Sequence, residues 1–116
     1  MDIEQLRQYA ISKPGVEEGF PFGPDALVFK AWGKMFLLMA LDAQPFRFNV
    51  KCDPETAVAL REEFPDHILP GYHMNKKHWN TVIANGHLST KQLKQFIDDS
   101  YILVTSKRQA LRRDKQ

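Results

Sequence analysis

Two apolar runs, at 27–32 and 35–41, are separated only by Gly33-Lys34. A two-residue break carrying glycine folds a chain back on itself, so both runs read as strands of one antiparallel hairpin. Residues 46–51, Phe-Arg-Phe-Asn-Val-Lys, then alternate apolar and polar with a period of two. That period puts Phe46, Phe48 and Val50 on one face and Arg47, Asn49 and Lys51 on the other, expected to be open to solvent. Three such strands share one apolar face, which helices must cover.

The helices have readable starts. Asp2 can cap a helix over 2–13, with Ile3, Leu6 and Ala10 at helical spacing and Pro14-Gly15 as its stop. Asp53-Pro54-Glu55 combines a capping carboxylate, proline at the first helical position and an acid near the positive end of the dipole, opening a helix that runs to Pro65. Ser89-Thr90-Lys91-Gln92 matches a capping box, followed by Leu93, Phe96, Ile97, Tyr101 and Val104 on one face. Between the last two helices, 68–74 and 79–83 read as strands joined through Asn75-Lys76-Lys77-His78, and Asn85-Gly86 turns the chain. Residues 16–24 hold two prolines and two glycines and read as a loop or edge segment anchored by Phe20 and Phe22. The expected order is helix, three strands, helix, two strands, helix. This is an α+β two-layer sandwich with an antiparallel sheet. No repeat or linker interrupts it, so residues 1–106 read as a single domain and 107–116 as a basic C-terminal tail.

Thirteen aromatics in 116 residues and a net charge of only +2 favour a folded chain over a disordered one. Charge is uneven: 1–58 carry six Lys/Arg against eight Asp/Glu, whereas 59–116 carry ten against six. The basic C-terminal half permits an anionic partner. The single cysteine, Cys52, excludes an internal disulfide and any multi-cysteine zinc site. The longest apolar run, seven residues at 35–41, falls far short of the ~20 that span a bilayer. The N-terminal segment is acidic and amphipathic, unlike a secretory signal. The expectation is a monomeric cytoplasmic protein without a membrane partner.

The densest chemistry lies at 71–81, Gly-Tyr-His-Met-Asn-Lys-Lys-His-Trp-Asn-Thr. Lys76 and Lys77 offer charge to phosphates, Asn75, His73 and His78 offer polar contacts, and the aromatics offer stacking faces. Arg47 and Lys51 would extend this basic surface from the neighbouring strand. The competing reading has the lysines solvating a hairpin tip while Met74 and Trp79 face the core. The four histidines are separated by five, four and eight residues, with no carboxylate between 67 and 97, so no metal site is expected. Cys52 precedes a helix start but reads as a packing residue. No Gly-x-Ser-x-Gly elbow or phosphate-cradling glycine loop is present. The chain therefore reads as a non-enzyme with no catalytic residue and no cofactor.

Several stretches carry a family resemblance: Phe20-Pro21-Phe22-Gly23, Gly33-Lys34-Met35-Phe36, Lys51-Cys52-Asp53-Pro54-Glu55, Asn75-Lys76-Lys77-His78-Trp79-Asn80-Thr81-Val82 and Ser100-Tyr101-x-Leu103-Val104. Together they resemble the MmcQ/YjbR family of small bacterial proteins over nearly the whole chain to about Val104. The resemblance implies a CyaY-like or secretion-chaperone-like fold and a DNA-binding role through a "double wing". A frataxin-type iron role would need an acidic ridge, and the first helix offers only Asp2 and Glu4. The leading expectation is a DNA-binding module that meets phosphates through a basic hairpin around residues 72–82. The alternative is a non-enzymatic protein- or small-ligand-binding module using the sheet face or the Phe20-Pro21-Phe22 loop.

Overall fold

A computed structural model describes residues 2–114, with side chains as far as Ser106. The chain runs α1 (Ile3–Ile11), β1 (Val16–Gly19), β2 (Ala26–Ala31), β3 (Lys34–Ala40), β4 (Arg47–Lys51), α2 (Pro54–Glu63), β5 (Ile68–Pro70), β6 (Trp79–Ile83) and α3 (Thr90–Asp114). The strands form one antiparallel sheet in the order β1-β2-β3-β4-β6-β5, so β1 and β5 are its edges. The α+β architecture matches expectation. No helix among the described residues is long and apolar enough to cross a membrane.

Each helix starts where a side-chain oxygen takes up an otherwise orphaned amide. Asp2 accepts from Gln5 N at 2.8 Å while Gln5 returns the bond to Asp2 N at 3.0 Å. Asp53 accepts from Thr56 N ahead of Pro54. Ser89 and Gln92 close the expected capping box at 2.9 and 3.1 Å. The helix backbone of α3 continues through Asp114, so the tail expected from residue 107 extends that helix; its side chains lie outside the described residues.

The helices cover one face, with α1 on β1, α2 on β5 and β6, and α3 across β2 to β4. Strand alternation and register send Leu27, Phe29, Leu37, Met39, Phe48, Val50 and Val82 to that side, where they join Leu6, Leu93 and Ile97 in one core. Phe29, Phe36 and Phe48 are fully buried, each contributing about 2–3 kcal/mol by removal from water. A bulge opposite Phe29 and Lys30 inserts Phe36 as an extra residue in β3. Consecutive Phe36 and Leu37 can then both face the helices, and Phe36 meets Tyr101 of α3 edge-on at 5.5 Å. The bulge also frees the Phe36 carbonyl from the ladder. Ser100 donates to it at 2.5 Å and accepts from Lys51 N at 2.8 Å, so one buried hydroxyl satisfies two backbone groups.

Three expectations about strands are corrected. The segment at 16–24 divides into edge strand β1 and a loop, giving four strands before α2 rather than three. Its adjacent Glu17 and Glu18 hide the alternation that would have marked it. The β2–β3 turn is Trp32-Gly33 rather than Gly33-Lys34, because Lys34 pairs with Ala31 in the ladder. Both turn residues have positive φ, 45° and 85°, as a tight hairpin of this twist requires. Trp32 tolerates it because its ring lies on the bare Cα of Gly15, where an added Cβ would come within 2.3 Å of the ring. Finally, β5 stops at Pro70 instead of reaching Met74. Proline has no amide to extend the ladder, and Gly71 passes so close under Trp79 that a Cβ there would sit 2.7 Å from the Trp79 Cβ.

Candidate nucleic-acid interface and the groove beside it

The β5–β6 connection at 71–78 is a pair of turns rather than an extended hairpin. Asn75 Oδ1 accepts from Lys77 N at 3.0 Å and Asn75 O from His78 N at 3.1 Å, a local Asn-anchored turn that lifts Lys76 and Lys77 to its apex. Both lysines are exposed. Arg61 of α2 holds the base of this turn: its guanidinium donates to Asn80 Oδ1 at 2.7 Å, to Trp79 O at 3.2 Å and to Lys76 O. On the other side, Cys52 N donates to His78 O at 2.7 Å. The loop is thus tied to α2 and to the end of β4, and its cations sit on a supported turn.

Residues 72–74 fold back over the helix-free face of the sheet. Tyr72 N donates to Thr81 Oγ1 at 3.0 Å, and Thr81 Oγ1 donates to Asn49 Oδ1 at 2.5 Å. The Asn49 amide reaches Tyr72 O at 3.5 Å. Asn49, only 7% exposed, therefore tethers the loop. This corrects the expectation that Arg47, Asn49 and Lys51 share a solvent-open face: they share the helix-free face, but loops cover part of it. Arg47 is half-buried, and its Nε is buried without a hydrogen-bond partner among the described residues.

The seven candidate residues fall into two places. Lys51 pairs with Trp79 at the end of the sheet where 71–78 emerge, so it joins His73, Asn75, Lys76, Lys77 and His78. Arg47 pairs with Ile83 at the opposite end, about 13 Å of strand away. Within the loop the residues do different things. His73 is exposed at a positive φ of 59°, with its ring 4.0 Å from that of Tyr72, whereas His78 is half-buried and Asn75 builds the turn. His67 and His87 stack at 4.8 Å beyond the far end of β5. Among the described residues, no three His, Cys, Asp or Glu side chains gather as a metal site.

Ion pairing separates these cations from Arg7 and Lys13. Among the described residues the ion pairs are Arg7 with Glu4 and Glu18, and Lys13 with Asp98. All of them involve α1 or the turn after it. Lys51, Lys76 and Lys77 have no carboxylate partner within 4.0 Å among the described residues; Lys76 and Lys77 offer their charge to solvent, and Lys51 is half-buried.

Two concavities flank the loop. On the helix-free face, the β1–β2 loop covers buried Val28 and the 71–74 segment covers Thr81. Between them remains a groove of about 550 Å³, with Met35, Leu38 and Ala40 of β3 along it. Phe22 and Tyr72, 67% and 65% exposed, stand at its edges. On the other face a cavity of about 230 Å³ opens between α2 and α3, bordered by Leu60, Phe96 and Leu103 with Cys52 beside them. Burial, reinforced by Asp53 and Asp99, pushes the Cys52 thiol up from its ordinary pKa, the reverse of what a nucleophile needs.

Sequence reasoning located the loop but missed Arg61 and Asn49 as residues that hold it. Arg61 lies 18 and 19 positions from its partners Trp79 and Asn80, and no local pattern links them. It also missed the groove's carboxylates, Asp25 and Asp42, which ordinary turns would carry anyway.

Comparison with known proteins fits this geometry. The YjbR family model matches residues 11–103. The chain is 42% identical over 102 residues to the uncharacterized protein YbdF of Escherichia coli O157:H7, spanning 87% of this chain and 82% of that one. It is 33% identical over 101 residues to the uncharacterized protein YjbR of Escherichia coli K12, spanning 87% and 85%. In three dimensions it is similar to the Deinococcus radiodurans protein DR2400, of domain family DUF419, with a TM-score of 0.83 and 39% identity over 89% of this chain and 78% of that one. A crystal structure of a Pseudomonas syringae protein gives 0.72 and 31% over 86% and 96%. With residues 11–103 matched, the chain belongs to the YjbR family.

Proposed function

We propose that this protein is a non-enzymatic nucleic-acid-binding module, with DNA as its ligand, whose phosphate contacts are Lys76, Lys77 and Lys51. The observation that carries the reading is clustering: Lys76 and Lys77 stand exposed on one supported turn, Lys51 lies at the strand end beside it, and none of the three has a carboxylate partner among the described residues. Unpaired lysines on a supported turn can displace counterions from a phosphate backbone without first breaking an ion pair. Asn75 positions the turn, and His73 and His78 are neighbouring polar contacts. Arg47, at the far end, lies outside this footprint.

Three phosphate contacts give a log-affinity against log-salt slope of about −2.7 on duplex DNA. Titration of duplex DNA between about 50 and 300 mM salt tests this. The Lys76→Glu/Lys77→Glu variant should weaken binding to every sequence alike and bring the slope towards about −0.9. An unchanged slope would remove the loop from the interface.

A second reading is favoured by the groove: a small-ligand or protein-binding module using the helix-free face. The Phe22 and Tyr72 rings, left in water at its edges, support it. Binding there would be nearly insensitive to salt.

A further inference from the structure

The groove on the helix-free face differs in chemistry from the lysine turn beside it. Its floor along β3 is apolar, formed by Met35, Leu38 and Ala40. Two aromatic faces are available at its edges, Phe22 from the β1–β2 loop and Tyr72 from the β5–β6 loop. Such surfaces receive planar rings, because stacking uses a π-face and needs no particular hydrogen-bond pattern. The volume, about 550 Å³, lies within the range of about 300–1,000 Å³ occupied by small-molecule sites.

The polar lining restricts which ring. Asp25 and Asp42 are the carboxylates at the groove, His73 is its one imidazole, and no lysine or arginine lines it. An ionised carboxylate only accepts hydrogen bonds, so these positions welcome N–H donors and repel anions. Asn49 adds a buried carboxamide whose nearest acceptor for its amide hydrogens stands at a long 3.5 Å. Two carboxylates against the single imidazole of His73 disfavour a phosphate in the groove itself, whereas an amino group on a ring is complementary to Asp25 and Asp42.

We propose that this groove binds a planar heteroaromatic ring bearing an exocyclic amino group, with the amino group directed to Asp25 and Asp42 and the ring against Leu38, Phe22 and Tyr72. The proposal deepens the second reading of function and does not depend on the phosphate contacts of the first. The same chemistry is presented by a free nucleoside and by an unstacked base of a single strand. In the strand case, the backbone leaving the groove at Tyr72 would pass the lysine turn.

The test uses the whole chain and two matched pairs of nucleosides, adenosine against inosine and cytidine against uridine. Within each pair an amino group is replaced by a carbonyl, and none of the four carries a phosphate. Binding is followed by backbone amide chemical shifts. The expected result is that adenosine and cytidine move Leu38 and Asn49 and bind at least about tenfold more tightly than inosine and uridine. Asp25→Asn/Asp42→Asn should erase that preference, and Phe22→Ala or Tyr72→Ala should weaken adenosine by about tenfold. All four substituted positions, Phe22, Asp25, Asp42 and Tyr72, are exposed, so the variants keep the fold. Equal binding within each pair, or no shift at Leu38 and Asn49 at millimolar nucleoside, would overturn the proposal.

A second arm compares short dA and dT single strands. Tighter binding of dA than of adenosine identifies the strand as the source, and adenosine binding without a dA advantage identifies the free nucleoside. If dA and dT bind alike, with a salt slope that Lys76→Glu/Lys77→Glu flattens, and the nucleosides do not bind, the phosphate reading stands while the groove proposal fails. The converse pattern sinks the phosphate reading alone.

Discussion

The two faces of the sheet are built on opposite terms. The helix side is closed by side chains: phenylalanines interlock with α1 and α3, and its few polar groups, such as Ser100, are consumed by the backbone. The loop side is closed by backbone, with Asn49 and Thr81 holding a segment that leaves Tyr72 in solvent. One strand carries both, since Phe48 and Val50 serve the first face and Asn49 the second. Large apolar residues that the sheet turns towards the helices are therefore structural, whereas those at the loop-side edge are available for contact.

Truncation of the core should break this contrast most severely. Phe36→Ala is expected to cost about 3–5 kcal/mol in urea unfolding, because it empties the bulge and its contact with Tyr101. Next is Arg61→Ala, at about 2–3 kcal/mol, with loss of exchange protection in the 71–78 turn. Arg61→Lys should restore little, since an ammonium lacks the planar fork that reaches acceptors on both sides of the turn. Ser100→Ala should cost about 1–3 kcal/mol by leaving the Phe36 carbonyl and the Lys51 amide unmatched.

A pH series sharpens the comparison at the α1 end. Burial, with a hydrogen bond to Asp98, pushes Tyr9 up to about 12 from 10.0. The folded state holds this proton more tightly than the unfolded chain, so its contribution is full below pH 10 and is lost as pH rises towards about 12. Stability of the Tyr9→Phe variant should decline less across that window. The smallest effect belongs to the groove edge: Phe22→Ala and Tyr72→Ala should each change stability by no more than about 0.5 kcal/mol. A loss of several kcal/mol at either would mean the loop side is built like the helix side.

The same division governs what could be read from the sequence. Helix starts were legible because Asp2, Asp53 and Ser89 act on amides within three residues of themselves. Strand β4 was legible because its alternation is uninterrupted. The shift of the hairpin turn to Trp32 was not, because a tryptophan accepts positive φ only with Gly15, 17 positions earlier, beneath its ring. At the site, the turn chemistry of Asn75 and the exposure of Lys76 and Lys77 were local and readable. What else supports and covers that turn depends on Arg61 and Asn49, brought to it by folding alone.

The sheet's margins limit how anything can join it. Edge β1 is four residues long and carries Glu17 and Glu18, and edge β5 is three residues ending in Pro70. Short, acidic or proline-ended margins make poor templates for a further strand, so neither side invites β-augmentation or ribbon-like stacking of copies. A ligand of this protein would accordingly meet side chains presented from a face or a turn, so a search for one starts with chemistry read there rather than with extended peptides seeking a ladder.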